Sequence, residues 1–394
     1  MARFKKKQEI REGMRQPIGI YIHVPFCKRK CAYCDFYSRP CKTEKEMDEY
    51  VSAVLRHFEE YFRPGSNFEA DTVYFGGGTP SLLGDKRLLK LIEGLDKRIL
   101  LRDSAEITVE CNPESTDLKM LKKLKKGGVN RLSFGVQSAD NDELVMLGRL
   151  HTFEMAQEAV SKAQEAGFTN ISLDLMYGLP GQTMEKWQES VKRILALKPQ
   201  HLSAYALKLE EGTPMWREKP ALPSDDLQAD MYLYAVERFA REGYYQYEVS
   251  NFAKEGYRSR HNSKYWDLSP YLGFGPSAHS YFGGKRFSFV DDLQAYVHGM
   301  DGKAEILESA DEVENYRRPG EYIMLMLRTT DGIDEEKFYQ RFRMEFTPFA
   351  AKLRKYIEPG YCKEENGRWW LTPQGMFVSN AILADVLDCT EFLG

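Results

Sequence analysis

From residue 18 to 208 the chain alternates short, strongly apolar stretches with longer amphipathic ones, and this alternation constrains the fold more than any other feature. The spacing predicts strands at Ile18–Val24, Thr72–Phe75, Glu106–Glu110, Arg131–Val136, Asn170–Met176 and His201–Leu207. Each is rich in Ile, Val, Leu, Phe or Tyr, as a strand covered on both faces must be. Between them Glu44–Phe62, Lys86–Ile99, Leu118–Lys126, Phe153–Ala166 and Met184–Leu197 carry apolar residues at helical spacing, with Gly127, Gly167 and Pro199 where helix ends are expected. Six β/α units in series imply a parallel sheet curled into a barrel or part of one. In such folds the chemistry gathers at the C-terminal ends of the strands.

After Leu207 the alternation stops. A long helix is expected at Asp225–Glu242, then an aromatic, Gly-rich segment from Tyr244 to Phe289. The last part reads as helices (Glu312–Leu327, Glu335–Arg341, Phe349–Tyr356), a hairpin around Asn366–Gly367 with Arg368–Leu371, and a final helix at Gly375–Leu387. Helices with one hairpin suggest a small winged-helix-like module. The expected division is an N-terminal tail at 1–17, a core barrel at 18–240, a linking region at 241–310 and a C-terminal module at 311–394.

Composition narrows the function. A net charge of −4 over 394 residues predicts neither strong nucleic-acid attraction nor a polybasic membrane face. Two small basic clusters, Lys5–Lys7 and Lys122–Lys126, read as a frayed terminus and a solvated helix face. No apolar run approaches the roughly 18 residues needed to span a bilayer, and the N-terminus lacks the apolar stretch of a signal peptide. Seven cysteines are an odd number, and three crowd into eight residues, which points to metal binding in a reducing compartment rather than to disulfides. The expected location is the cytoplasm.

Those three are Cys27, Cys31 and Cys34, in Tyr21-Ile-His-Val-Pro-Phe-Cys27-Lys-Arg-Lys-Cys31-Ala-Tyr-Cys34-Asp-Phe36, a Cys-x3-Cys-x2-Cys loop directly after the first strand. Soft thiolates select iron–sulfur clusters or zinc. Three closely spaced thiolates hold three irons of a cubane and leave the fourth open, and an open coordination site is where a metal does chemistry. Zinc wants paired Cys-x2-Cys units with two further ligands, and none is evident. Cys41 is the other thiol nearby, but it follows Pro40 outside the tight loop.

The cysteine spacing resembles the signature of the radical S-adenosylmethionine superfamily. The resemblance implies a partial (β/α)6 TIM-like barrel, a 4Fe–4S cluster, and S-adenosylmethionine chelated by the fourth iron and cleaved, on reduction, to an adenosyl radical. Phe75-Gly76-Gly77-Gly78-Thr79-Pro80 ends the second strand, where glycines let backbone approach a ligand closely. With Tyr-x-His-x-Pro-Phe-Cys this resembles the oxygen-independent coproporphyrinogen oxidases and their relatives. In register with that family, Tyr21, Gly77, Gly78, Thr79, Glu110, Gln137, Arg149 and Asp174 match its S-adenosylmethionine-contacting positions. Glu110 and Gln137 end their strands and Asp174 lies near the end of its own. The resemblance covers roughly residues 16–390.

Within the family the chain departs from the oxidase branch twice. Phe36 stands where those enzymes carry an extra cysteine, and only twenty residues precede Tyr21, where they have a substantial extension. His261-Asn262-Ser263-Lys264-Tyr265-Trp266 is instead similar to the His-Asn-x-x-Tyr-Trp motif of the HemW heme chaperones. That likeness implies heme as bound cargo, with His261 offering a nitrogen to iron and the aromatics packing on the porphyrin. A lone histidine beside aromatics is otherwise a hydrogen-bonded core residue; His279 is a second candidate. The implied partners are heme, heme-acceptor proteins at the membrane or elsewhere, and an electron donor if S-adenosylmethionine is cleaved. A homodimer is left open. The rival readings are a coproporphyrinogen dehydrogenase or other tetrapyrrole enzyme, and a radical enzyme acting on nucleic acid. Against the last, the C-terminal module shows no basic stripe, as in Asp331-Gly-Ile-Asp334-Glu-Glu-Lys337.

Overall fold

The computed structural model describes residues 15–41, 43–62, 67–312 and 318–388. Most of the expected N-terminal tail, including Lys5–Lys7, lies outside the described residues, as do residues 313–317 of the helix expected at Glu312–Leu327, whose first residue, Glu312, instead ends a strand paired with Lys285.

The six expected strands form one parallel ladder: β1 (Gln16–Val24), β2 (Phe68–Gly77), β3 (Leu100–Cys111), β4 (Arg131–Gln137), β5 (Ile171–Tyr177) and β6 (His201–Ala206). Helices α1 (Glu44–Tyr61), α2 (Gly84–Asp96) and α3 (Leu118–Lys126) follow β1, β2 and β3, while α4 (Asn141–Met146) and α5 (Phe153–Glu165) follow β4 and α6 (Met184–Leu195) follows β5. Four of these helices, α1, α3, α5 and α6, start where a side chain satisfies an otherwise orphaned amide: Thr43, Asp117, Thr152 and Thr183 each accept from a backbone N–H three residues on. Ile20, Ile22, Val73, Phe75, Val109, Leu132, Leu173 and Leu202 are wholly or almost wholly buried, as expected of strands covered on both faces.

The sheet extends beyond these six. At one edge β7 (Tyr245–Gln246) and β8 (Asn251–Ala253) continue antiparallel from β6. At the other, β9 (Tyr271–Phe274) pairs parallel with β1 and leads into the antiparallel strands β10 (His279–Phe282), β11 (Lys285–Phe289) and β12 (Leu307–Glu312). The order is β12-β11-β10-β9-β1-β2-β3-β4-β5-β6-β8-β7. Segment 241–310, expected only to link, thus supplies strands to both flanks of the parallel ladder.

After β12 come helices at Arg318–Met326, Glu335–Phe342 and Thr347–Leu353, then the hairpin Cys362–Glu365 with Arg368–Leu371. Asn366 and Gly367 both have positive φ (52° and 77°), the requirement of a tight two-residue hairpin turn. Ile333–Asp334 adds a third antiparallel strand. This module is fastened to the sheet by Val249 N–H to the Arg328 carbonyl (2.9 Å), Thr330 N–H to the Tyr247 carbonyl (3.0 Å) and the Arg258–Asp331 ion pair. Among the described residues no helix is long and apolar enough to cross a membrane.

Candidate functional site

The loop after β1 is stitched to the end of β2 and to the segment after α4. Gly78 N–H donates to the Val24 carbonyl (2.8 Å) and Thr79 N–H to the Phe26 carbonyl (2.7 Å), so the end of β2 grips the segment that carries Cys27. A Cβ on Gly78 would sit 2.6 Å from the Phe26 oxygen, so only glycine allows this approach. Ala32 N–H donates to the Leu147 carbonyl (3.1 Å), and Arg29 Nη2 donates to the Gly148 carbonyl (2.7 Å), tying the other end of the loop to the segment after α4.

Cys27, Cys31 and Cys34 are free thiols, partly exposed, and face one cavity of about 420 Å3. Two polar groups point at their sulfurs: the Thr79 hydroxyl lies 3.5 Å from Cys27 Sγ and Arg149 Nη1 lies 3.4 Å from Cys31 Sγ. Hydrogen-bond donors aimed at sulfur suit thiolates. Burial pushes the Cys34 thiol up to about 11, a cost that a bound cation reverses. Among the described residues no group of His, Cys, Asp and Glu is arranged to hold a single metal ion. Three convergent thiols without a fourth protein ligand therefore fit a cluster with one open iron better than zinc. Cys41 does not line the cavity; its sulfur turns to the Thr43 carbonyl (3.3 Å).

Gly77, Gly78, Thr79, Glu110, Gln137, Arg149 and Asp174 line the same cavity. Arg149 donates to Asn112 Oδ1 and to the Gly135 carbonyl, both at 2.7 Å, so its guanidinium is fixed between the thiols and the ends of β3 and β4. Glu110 accepts from the Tyr74 hydroxyl at 2.7 Å. Burial lifts its carboxyl to about 7, with the nearby Asp174 charge adding to the lift and the Tyr74 bond opposing it. Asp174, in the middle of β5 rather than near its end, accepts from Ser133 (3.3 Å) and is likewise raised by burial. Gln137 ends β4 with φ 72°, a left-handed conformation unusual for a side chain other than glycine's, and accepts from the Tyr205 hydroxyl (3.0 Å). The Arg149 guanidinium beside the Glu110 and Asp174 carboxylates and the Asn112 and Gln137 amides is a set that can hold a zwitterionic amino-acid head and sugar hydroxyls.

Tyr21 lies apart from this group, facing a second cavity of about 570 Å3 that shares Tyr74, Glu110, Asn251 and Asn262 with the first. His23 Nε2 meets the Tyr37 carbonyl (2.8 Å) and must carry its proton there, so Nδ1 accepts from the Tyr21 hydroxyl (3.1 Å). Tyr265 and Trp266 line the second cavity, but His261 lines neither. It is fully buried, with Nδ1 2.8 Å from the Thr72 hydroxyl and Nε2 2.9 Å from the Tyr265 hydroxyl. Both ring nitrogens are engaged, and burial, reinforced by Lys264 and Arg131, lowers the imidazole to about 3. His279 is exposed at the start of β10 and lines neither cavity.

Several site residues lie outside the expected set. Asn112 braces Arg149 by accepting from it and belongs to no motif of its own; its signal is its place directly after the end of β3. Arg131 is fully buried and lines the first cavity, with Nε and Nη1 unpartnered by protein. A charged residue opening an apolar strand was the available signal.

Residues 21–194 match the family model of the radical SAM superfamily and residues 317–378 that of the HemN C-terminal domain. The heme chaperone HemW of Bacillus subtilis (strain 168) is 35% identical over 93% of this chain and 98% of its own length. That of Escherichia coli (strain K12) is 34% identical over 93% of this chain and 97% of its own. Among solved structures, the radical SAM enzyme coproporphyrinogen III oxidase (HemN) from Escherichia coli superposes with a TM-score of 0.83 at 22% identity, over 95% of this chain and 90% of that one. This last likeness speaks to the fold alone, which is the radical SAM α/β fold.

Proposed function

Because the chain belongs to the radical SAM superfamily and, within it, to the family of the HemW heme chaperones, we propose that it binds heme and hands it to an acceptor protein. The observation that carries the reading is the second cavity, where Tyr265 and Trp266 of the His-Asn-x-x-Tyr-Trp motif face a wall shared with the thiol-lined cavity. Aromatic faces beside a mostly apolar cleft suit a flat, hydrophobic ring.

In this reading Cys27, Cys31 and Cys34 hold a 4Fe–4S cluster, and Gly77, Gly78, Thr79, Glu110, Gln137, Arg149 and Asp174, with Tyr21 behind Tyr74, surround S-adenosylmethionine. The cluster, when bound, supplies an open iron and a source of electrons. The chain's own groups bind and orient: Arg149 takes a carboxylate, Glu110 an ammonium and Asp174 hydroxyls. His261, held between Thr72 and Tyr265, braces the motif from behind and reaches iron only if its ring leaves both partners.

Phe36, 62% exposed at the mouth of the first cavity, stands where the oxidases carry a further cysteine, which weighs against coproporphyrinogen oxidation. We place the chain in the cytosol, delivering heme to acceptors that include proteins at the membrane surface, with an electron donor needed only if S-adenosylmethionine is cleaved. The division into a core at 18–240, a linking region and a C-terminal module at 311–394 belongs to the same proposal.

The test is to reconstitute the protein anaerobically, titrate it with heme, and separately supply coproporphyrinogen, S-adenosylmethionine and dithionite. Saturable heme binding with the porphyrinogen unconverted is the expected result. Conversion to protoporphyrinogen would overturn the chaperone reading in favour of a dehydrogenase.

A further inference from the structure

The second cavity is lined by groups of opposite charge: Glu110, on the wall shared with the first cavity, and Arg328, contributed with Leu325 by the C-terminal module. The aromatic rings of Tyr74, Tyr265 and Trp266 also line it. At about 570 Å3 the space falls within the roughly 300–1,000 Å3 usual for small-molecule sites.

Arg328, like Arg341 and Arg368 of the same module, has only neutral hydrogen-bond partners among the described residues, but of these three only Arg328 lines the cavity. Arg258 meets both carboxylate oxygens of Asp331, and Arg286 pairs with Glu321. Arg328 instead donates Nη2 to the neutral Asn380 amide (2.8 Å), and among the described residues no carboxylate pairs with it. Partial burial alone holds its guanidinium below the usual arginine range, with no neighbouring anion to raise it. A guanidinium has five N–H donors in a planar fork matched to carboxylate. At the edge of an aromatic cavity, a guanidinium without a carboxylate partner offers its fork of donors to a ligand's anion.

We propose that Arg328 is the anion anchor of the second cavity, binding a carboxylate of a flat aromatic ligand whose ring packs against Tyr265 and Trp266. The ligand's polarity follows from the cavity's lining: its carboxylate edge turns to Arg328, the cation that lines this cavity. The choice of heme, a flat ring with carboxylates on one edge, rests on the chaperone reading; the anchor itself rests on the cavity.

The experiment titrates full-length, anaerobically reconstituted protein with ferric protoporphyrin IX and with its dimethyl ester, which keeps the ring and removes the anions. Wild type should favour the diacid. Arg328→Gln should weaken the diacid by about ten-fold, the scale of one charge-assisted hydrogen bond, and leave the diester unchanged. Asn380→Ala, which removes the arginine's protein partner but keeps the guanidinium, should retain the preference. Equal losses for both ligands, or none, would overturn the anchor. Iron content reports folding; if Arg328→Gln fails to fold, Arg328→Lys carries the same comparison, and an undiminished diacid preference there sinks the fork geometry. If wild type binds neither porphyrin, the heme reading fails by itself. The anchor is then judged with naphthalenesulfonate: saturable binding lost in Arg328→Gln sustains it, and binding indifferent to the variant, or absent, overturns it.

Discussion

The Arg149 guanidinium lies 3.4 Å from the Cys31 sulfur through one nitrogen, while its other nitrogen holds Asn112 Oδ1 and the Gly135 carbonyl, each at 2.7 Å. A fixed positive charge beside a thiolate ligand stabilises added negative charge on whatever that thiolate binds. Arg149→Met should therefore leave a cluster that assembles but is harder to reduce. It also strips two buried acceptors of their donor, a loss of roughly 2–3 kcal/mol in stability. A redox titration followed by electron paramagnetic resonance, alongside thermal melting, checks both; an unchanged potential would show that the guanidinium serves only to brace the strand ends.

Gly78→Ala tests the grip of β2 on the cysteine loop. The added Cβ would lie 2.6 Å from the Phe26 oxygen and 2.9 Å from the Val24 oxygen, both backbone atoms that cannot rotate aside. Overpacking of this kind costs about 1–3 kcal/mol, and here the strain falls on the segment bearing Cys27. The variant should fold, since the contacts lie at a loop, yet retain under half the iron and sulfide of wild type after reconstitution. Full iron loading would mean that the loop tolerates displacement from the strand end.

How far the sequence reveals such features depends on what kind of force makes them. Helix α3 runs over Leu118–Lys126 as the spacing alone predicts, because Asp117 caps one end and Gly127 closes the other. Strand β2 is much longer than Thr72–Phe75, because Glu69 is buried and paired with Arg102, and a charged residue hides a strand from any pattern of apolar runs. β9 escapes for another reason. It is four residues long, includes Gly273, and is held by its register with β1, some 250 residues earlier, which local composition does not encode. The three thiols stood out in the sequence because soft-metal chemistry demands cysteines at close spacing, whereas the strand-end polar residues were named only through the family resemblance, since singly each reads as an ordinary hydrogen-bonded group. Arg328 was not legible, since only the fold brings it to the aromatic cavity.

Glu110 predicts a pH dependence. Its carboxyl is raised from 4.5 to about 7, first by burial and then by Asp174, so the folded chain holds a proton that the unfolded chain releases above 4.5. The cofactor-free protein therefore loses stability as pH rises from about 4.5 to 7, and Glu110→Gln should remove this loss, gaining on the order of 1–3 kcal/mol at pH 8 and nothing at pH 4. If Glu110 receives the ammonium of S-adenosylmethionine, affinity for that ligand should rise with pH through 7 in wild type and stay flat in Glu110→Gln. Calorimetry at several pH values reads both slopes; equal slopes in the two proteins would remove Glu110 from the ligand's surroundings.

The buried state of His261 separates two explanations for any heme defect in its variants. Its nitrogens satisfy the Thr72 and Tyr265 hydroxyls, so His261→Ala leaves both unpaired beside a new void, at about 2–4 kcal/mol. Because burial lowers its imidazole to about 3 while the unfolded group titrates near 6.5, its contribution is complete above pH 6.5 and is lost as pH falls toward 3. His261→Ala should thus lower Tm and flatten the acid limb of stability, with heme binding reduced only as far as the fold is loosened. Trp266→Ala, which changes a cavity wall instead, should leave Tm near wild type and weaken heme binding about ten-fold. The opposite pattern, a stable His261→Ala that binds no heme beside an unaffected Trp266→Ala, would mean that the ring turns out of its buried seat to become the iron ligand.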